Sequence, residues 1–166
     1  DDEAMKISHV IRGEEHTANT PRQILILEAL GFSRPTYAHL PLILGKNRSK
    51  LSKRDGATSV TEYKDMGYMP EALFNFIALL GWNPGGEQEI FSKEELIQLF
   101  SLEKVQKSGA IFDFQKLDWM NGEYIRNMSI KDLTDRCLPH LEKAGFIHGQ
   151  SMDTIKRIVA LEQPRL

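Results

Sequence analysis

Cysteine is nearly absent from this 166-residue chain: Cys137 is the only one. A disulfide within the chain is therefore impossible, as is a cysteine-rich zinc site, and a reducing cytoplasm is the expected setting. Long apolar runs are missing too. The longest, around residues 72–80, is far shorter than the roughly 20 residues that cross a bilayer, so no membrane partner is expected. Neither sign of charge dominates, since 21 Lys+Arg stand against 23 Asp+Glu for a formal net charge of −2. That excludes a generally basic nucleic-acid coat, and any anion site must be local. The Gly-rich phosphate loop GxxxxGK[ST] does not occur, and there are no internal repeats or low-complexity tracts. The five histidines show no ligand spacing, so no metal ligand is assigned and no structural metal is expected.

With 41% hydrophobic residues the chain can bury a core as one medium domain or two small ones. It opens DDEAMKISHVIRG, almost directly into a strand-like segment, and closes VALEQPRL with no terminal signature. The expectation is a piece of a longer protein.

Residues 5–11 (MKISHVI) have the apolar, β-branched character of a buried strand that ends at Arg12-Gly13. Thr20-Pro21-Arg22-Gln23 predicts a helix start, with threonine as cap, proline in the first turn and glutamine completing a capping box. Gly31 is its stop. Residues 36–44 (TYAHLPLIL) predict a second strand, in which Pro41 belongs at an end or edge. Strand, helix, strand at this spacing is a βαβ unit with parallel pairing. From Pro70 the chain turns helical. Residues 70–80 are apolar nearly all round and predict a buried helix; Ser92 to Glu95 form a second capping box; residues 109–125 fit no simple pattern. Ser129 opens a further helix that Pro139 should bend or break, and a last amphipathic helix begins near Ser151. The composition shifts near residue 65.

Three constellations could carry chemistry. KNRSKLSKRDG, residues 46–56, holds Lys46, Arg48, Lys50, Lys53 and Arg54 without an acid before Asp55. A solvated loop is the ordinary explanation of such a cluster. The sharper one is a phosphate clamp, because lysines are flexible point charges and the small Ser49, Ser52 and Gly56 let the backbone come close. Arg12-Gly13-Glu14-Glu15-His16 follows the first strand, where ligands bind in open parallel sheets, and an arginine there can fork onto a carboxylate. A polar turn with a local ion pair is the plainer alternative. His39-Leu40-Pro41-Leu42-Ile43 has the pattern of an ordinary core strand, of interest because the basic loop follows at once. A free backbone amide or carbonyl of Leu42 or Ile43 could read a base edge.

These pieces, in this order, resemble bacterial glutamyl-tRNA synthetase, a class I aminoacyl-tRNA synthetase. The matching segments are HVIRGEEH (9–16), NTPRQI (19–24), HLPLILG (39–45), KLSKRDGATSV (50–60), GYMPEAL (67–73), LLGW (79–82) and FDFQKLDWMNGEYIR (113–126). Residues 50–54 resemble the KMSKS signature, with Leu51 and Arg54 at its variable positions.

The resemblance implies a fold: an α/β part, the C-terminal βαβ portion of a Rossmann-type catalytic domain (residues 1–61), then a mainly helical stem-contact region (62–128) and the start of a helical anticodon-binding bundle (129–166). It also implies chemistry. Glutamate attacks the α-phosphate of ATP, giving glutamyl-adenylate and pyrophosphate, and the glutamyl group then passes to the terminal adenosine of a tRNA. Lys50 and Lys53 match the signature lysines that hold the triphosphate, so losing one contact should cost ~3–4 kcal/mol in the chemical step. Arg12 matches the arginine for the substrate's γ-carboxylate. Glu15, His16, Leu42, Ile43, Leu51, Ser52 and Arg54 match the surroundings of ATP, with which Mg2+ is expected. The partners implied are tRNA, L-glutamate and ATP, and the parent is expected to be monomeric.

The family's HIGH motif does not occur in these 166 residues. The chain alone is therefore expected not to activate glutamate. Alternatives are a non-catalytic tRNA-binding fragment acting in trans, a short relative that glutamylates a modified tRNA base, and a purely structural domain. Continuation through FDFQKLDWMNGEYIR speaks against the second, and several motifs in family order against the third.

Overall fold

The computed structural model describes residues 1–52 and 59–166. It is an α/β arrangement in which helices predominate. The first strand, β1, is His9–Gly13, later than the expected 5–11. The acidic start folds into turns instead, with the Met5 and Ile7 amides bonded to the Asp1 and Asp2 carbonyls and Lys6 at φ 52°. Helix α1, Thr20–Ala29, begins at the expected residue and ends before Gly31, whose φ of 69° is the left-handed turn that glycine adopts without strain.

The second expected strand splits at proline. β2 is Thr36–Leu40 and β3 is Ile43–Leu44. Pro41 has no N–H to continue a ladder, and the chain changes neighbours there. β2 pairs parallel with β1, placing Arg12 opposite His39, whereas β3 pairs parallel with β4, Ala110–Ile111. β1, α1 and β2 thus form the expected βαβ unit. Gly109 permits the β3–β4 approach, because a Cβ there would stand 2.9 Å from the Leu42 carbonyl and 2.8 Å from Leu44 Cδ1.

Helices complete the chain: α2 Val60–Asp65, α3 Pro70–Leu79, α4 Lys93–Leu99, α5 Phe114–Arg126, α6 Ile130–Lys143 and α7 Met152–Glu162. The Ser92/Glu95 capping box forms as expected, and Ser59 with Glu62 builds another at α2 that the pattern reading passed over. Of the two outcomes expected at Pro139, a break does not occur: α6 runs through it. Its lost backbone bond is offset by packing, since Leu133 joins Ile125, Ile155 and Val159 in a core that Leu138 and Leu141 flank. α3 is not buried all round either. Ala72, Leu73 and Phe76 are inside, while Phe74 and Ile77 are each 48% exposed.

Contacts divide the chain into two compact units. The first comprises Asp1–Gly56, Ala78–Gln88 and Leu96–Asp113; the second comprises Ala57–Ile77, Glu89–Glu95 and Phe114–Leu166. The first carries both small sheets, with Trp82 and Phe112 buried, and the Trp82 and Phe100 rings 5.4 Å apart. In the second, Leu117 and Met120 of α5 are fully buried. Asn75 is buried with them, its Oδ1 accepting from the Phe91 amide and the Tyr124 hydroxyl, both at 2.8 Å. No helix among the described residues is long and apolar enough to cross a membrane.

Candidate functional site

All the chemistry-bearing residues that are described lie in the first unit. Arg12 sits near the carboxyl end of β1 and is held from three directions. Its Nη2 donates to Thr20 Oγ1 at 2.8 Å and to Gln23 Oε1 at 2.7 Å, and its guanidinium carbon lies 5.4 Å from the Tyr37 ring centre. A guanidinium only donates, so the Gln23 atom it meets must be the amide oxygen. Thr20 is buried, and its hydroxyl proton goes to the His16 carbonyl at 3.2 Å. The same hydroxyl oxygen meets His39 Nε2 at 2.9 Å, a contact whose donor and acceptor roles follow the His39 tautomer. Arg12 Nε is buried and has no hydrogen-bond partner among the described residues.

This corrects the capping expectation. Asn19 precedes the helix without a side-chain cap, and Thr20 and Gln23, one turn apart on α1, face Arg12 instead of the helix amides. A guanidinium offers a charge-assisted hydrogen bond, about twice as strong as the neutral bond a cap would make.

The Glu14–Asn19 segment is a 3-10 helix. The Glu15 carboxylate reaches Lys50 Nζ at 2.9 Å, and that hydrogen bond, above all, holds its carboxyl below the usual range. A Cβ at Gly13 would stand 2.0 Å from Glu15 Oε2, so a larger residue there would require the Glu15 carboxylate to shift. His16 Nδ1 lies 3.5 Å from the Asn19 amide nitrogen.

Leu42 lies between β2 and β3. Its amide donates to Glu14 Oε1 at 3.1 Å, and its carbonyl accepts from the Ala110 amide at 3.2 Å. The carbonyl is thus held by backbone, whereas the amide is held only by a side chain that can swing away. The Ile43 carbonyl accepts from the Leu51 amide at 2.9 Å, and Leu44 forms a bridge with Lys50, so the first half of the basic loop folds back along β3. Ser52 follows directly. Lys53 and Arg54 lie outside the described residues.

A cavity of about 230 Å³ opens beside Glu14, His39, Leu40 and Pro41, with Gln106 and Lys107 opposite. Ligand pockets usually span about 300–1,000 Å³, so this one is smaller than most. No group of three or more His, Cys, Asp or Glu that could hold a metal occurs among the described residues.

The structure therefore brings Glu15 to Lys50 and Leu51 to Ile43, and it surrounds Arg12 with residues the motif reading had not assigned to a site: Thr20, Gln23, Tyr37 and His39. The sequence signal for the first two is a Thr-Pro-x-Gln helix start that also fits an ordinary cap. His39 is marked only by its register opposite Arg12, which follows from strand pairing.

Comparison with known proteins gives a consistent picture. Residues 1–119 match the family model described as tRNA synthetases class I (E and Q), catalytic domain. The chain is 53% identical over 165 residues to the glutamate–tRNA ligase of Desulforamulus reducens, covering 97% of this chain and 34% of that protein. It is 62% identical over 148 residues to the glutamate–tRNA ligase of Aquifex aeolicus, covering 88% and 31%. The crystal structure of the glutamate–tRNA synthetase from Elizabethkingia anophelis superposes with a TM-score of 0.88 at 36% identity, covering all of this chain and 37% of that one. The chain thus spans about a third of the length of the curated relatives it matches.

Proposed function

Because the chain belongs to the class I tRNA synthetases for glutamate and glutamine, we propose that it forms the part of a glutamate–tRNA ligase that holds the amino acid's side chain and the triphosphate of ATP. The observation that carries this reading is the pair of basic sites in one unit, a doubly anchored Arg12 near a strand end and Lys50 paired with Glu15 of the segment that follows that strand. An anionic side chain suits the first, and a polyphosphate suits the second.

In this account the α-carboxylate of glutamate attacks the α-phosphorus of ATP, and the bond to the β,γ-diphosphate breaks, releasing pyrophosphate. The terminal adenosine hydroxyl of tRNA then attacks the activated carbonyl, and AMP departs. Arg12 fixes the γ-carboxylate, so that the α-carboxylate is the one presented for attack. Glu15 and His16 flank the ribose and base, and the Leu42–Ile43 turn reads the adenine edge, its amide released by Glu14. Lys50 and Lys53, with Leu51, Ser52 and Arg54, follow the phosphates as charge moves onto the leaving pyrophosphate. Mg2+ bound with the nucleotide would supply further positive charge there.

Residues 1–61 then belong to the Rossmann-type catalytic domain, 62–128 to the stem-contact region and 129–166 to the anticodon-binding helices of a monomeric cytoplasmic enzyme. These 166 residues taken alone are expected to be inactive, since the HIGH motif by which the family grips ATP does not occur among them. The test is tRNA charging by the complete enzyme with wild-type, Lys50→Ala and Lys53→Ala sequences. Each alanine should lower kcat by two to three orders of magnitude, about 3–4 kcal/mol, with little change in the KM for glutamate. Charging that survives both changes would refute the assignment. Salt-sensitive tRNA binding by the isolated chain, independent of ATP, would favour a non-catalytic fragment acting in trans.

A further inference from the structure

Asn47 stands in the turn that delivers Lys50. Resting on the reading of Lys50 as a contact for the triphosphate, we propose that Asn47 is a positioning residue for that lysine: its side-chain oxygen fixes the hairpin that sets the face on which Lys50 emerges.

The hairpin is short and its bonds are few. After β3 the chain turns over Lys46, Asn47 and Arg48 and comes back antiparallel. The Gly45 amide donates to the Ser49 carbonyl at 2.8 Å, the Arg48 amide to the Gly45 carbonyl at 2.9 Å, and the Leu51 amide to the Ile43 carbonyl at 2.9 Å. Leu44 and Lys50 pair between these bonds. Three-residue loops commonly close with one residue in the left-handed region, where glycine is the usual choice. Here that residue is Arg48, at φ 60°. A residue with a Cβ resists that conformation, so backbone preference alone does not hold this turn.

Asn47 supplies the missing support. The Gly45 carbonyl accepts from Arg48, and the Ser49 amide is given instead to Asn47 Oδ1 at 3.0 Å. The Ser49 hydroxyl donates to the same oxygen at 2.6 Å. An amide N–H only donates, so the atom it meets must be the carboxamide oxygen. Both bonds reach across Arg48 and close the chain around it in its left-handed state.

Register carries this local arrangement to Lys50. Side chains alternate between faces along a strand, so a slip of one residue in the returning limb would turn Lys50 to the opposite face, away from Glu15. In a hairpin, turn type and loop length set the register. In the observed register Lys50 Nζ reaches Glu15 Oε1 at 2.9 Å, yet both side chains are exposed. An exposed ion pair contributes little by itself. The backbone, rather than Glu15, therefore has to deliver the ammonium group, and Asn47 holds that backbone.

Charging of tRNA by the complete enzyme, with ATP varied at saturating glutamate, tests this with Asn47→Ala, Asn47→Asp, Lys50→Ala and the double variant Asn47→Ala/Lys50→Ala. Asn47→Ala removes the acceptor and should lower kcat/KM for ATP about fivefold or more. Asn47→Asp keeps an acceptor oxygen and should stay within about twofold of wild type. Because Asn47 acts through Lys50, adding Asn47→Ala to Lys50→Ala should change the rate by less than about twofold. Three results each overturn the proposal: unchanged charging by Asn47→Ala, an aspartate variant as impaired as the alanine, or a full second loss in the double variant. The last is also what a general loss of folded enzyme would produce. Lys50→Ala separates the two levels. If it charges as wild type does, the reading of Lys50 itself fails, whereas a deep loss beside an unaffected Asn47→Ala defeats the positioning role alone.

Discussion

Thr20→Val removes a single hydroxyl at the centre of the Arg12 network and keeps the side chain's shape. That hydroxyl accepts from Arg12 at 2.8 Å, donates to the His16 carbonyl at 3.2 Å and meets His39 Nε2 at 2.9 Å, all at a residue only 9% exposed. A hydrogen bond to a charged group contributes about 1.5–3 kcal/mol. Arg12 keeps its bond to Gln23, so the loss felt by a substrate carboxylate should be near the middle of that range, ~2 kcal/mol. This corresponds to roughly 30-fold in kcat/KM for glutamate. The loss should fall on KM, because a side-chain anchor binds ground state and transition state alike. Charging of tRNA by the complete enzyme, with glutamate varied at saturating ATP, measures it. Thr20→Ser retains the hydroxyl and should stay within about threefold of wild type. A Thr20→Val enzyme with unchanged KM, or a serine variant as impaired as the valine, would refute the claim that this hydroxyl positions Arg12.

Three further expectations concern the second unit. Leu133 is 1% exposed and packs with Ile125, Ile155 and Val159, so Leu133→Ala should cost ~3 kcal/mol in denaturant unfolding; a loss below about 1 kcal/mol would contradict the packing described. Arg136 grips Glu71 with two bonds of 2.9 and 2.7 Å, and this pairing lowers the Glu71 pKa. Both side chains are partly exposed, so a double-mutant cycle should return only about 0.5–1 kcal/mol. Burial, and then its hydrogen bond to Asp118, push the Tyr68 hydroxyl from 10.0 up to about 12. A raised pKa favours folding below the unfolded value, so the stability advantage over Tyr68→Phe should be full below pH 10 and fade between pH 10 and about 12. A constant difference across that range would count against the Tyr68–Asp118 bond.

Much of the fold was legible because local signals and tertiary packing agree. Thr20, Ser92, Ser129 and Ser151 mark helix starts where helices begin, and Gly31 and Gly145 stop them with φ of 69° and 76°. Pro41 was rightly placed at a strand end, but nothing local shows that it also moves the chain from the β1 neighbour to the β4 neighbour. That depends on Gly109, far away in sequence, letting β4 approach. Pro139 does not end α6, where Leu133, Leu138 and Leu141 make apolar contacts that favour continuing the helix.

The motif residues were legible as a set, since Arg12, Glu15, Lys50 and their neighbours carry unusual chemistry at strand ends. Their supports were not. Thr20 and Gln23 obey the capping-box spacing, and only the parallel register that sets Arg12 opposite His39 reveals that the same i, i+3 face serves a guanidinium instead. Glu14 is just another acid in the sequence, until the β2–β3 turn brings the Leu42 amide within 3.1 Å of it.

Arg12→Ala in the complete enzyme is the most direct test of the central claim, read as the KM for glutamate and the KM for ATP in tRNA charging. Losing a bidentate, charge-assisted contact should raise the KM for glutamate by two to three orders of magnitude, about 3–4 kcal/mol, and leave the KM for ATP within about threefold. An unchanged KM for glutamate, or an equal loss of both substrates, would contradict the assignment of this strand end as the side-chain anchor.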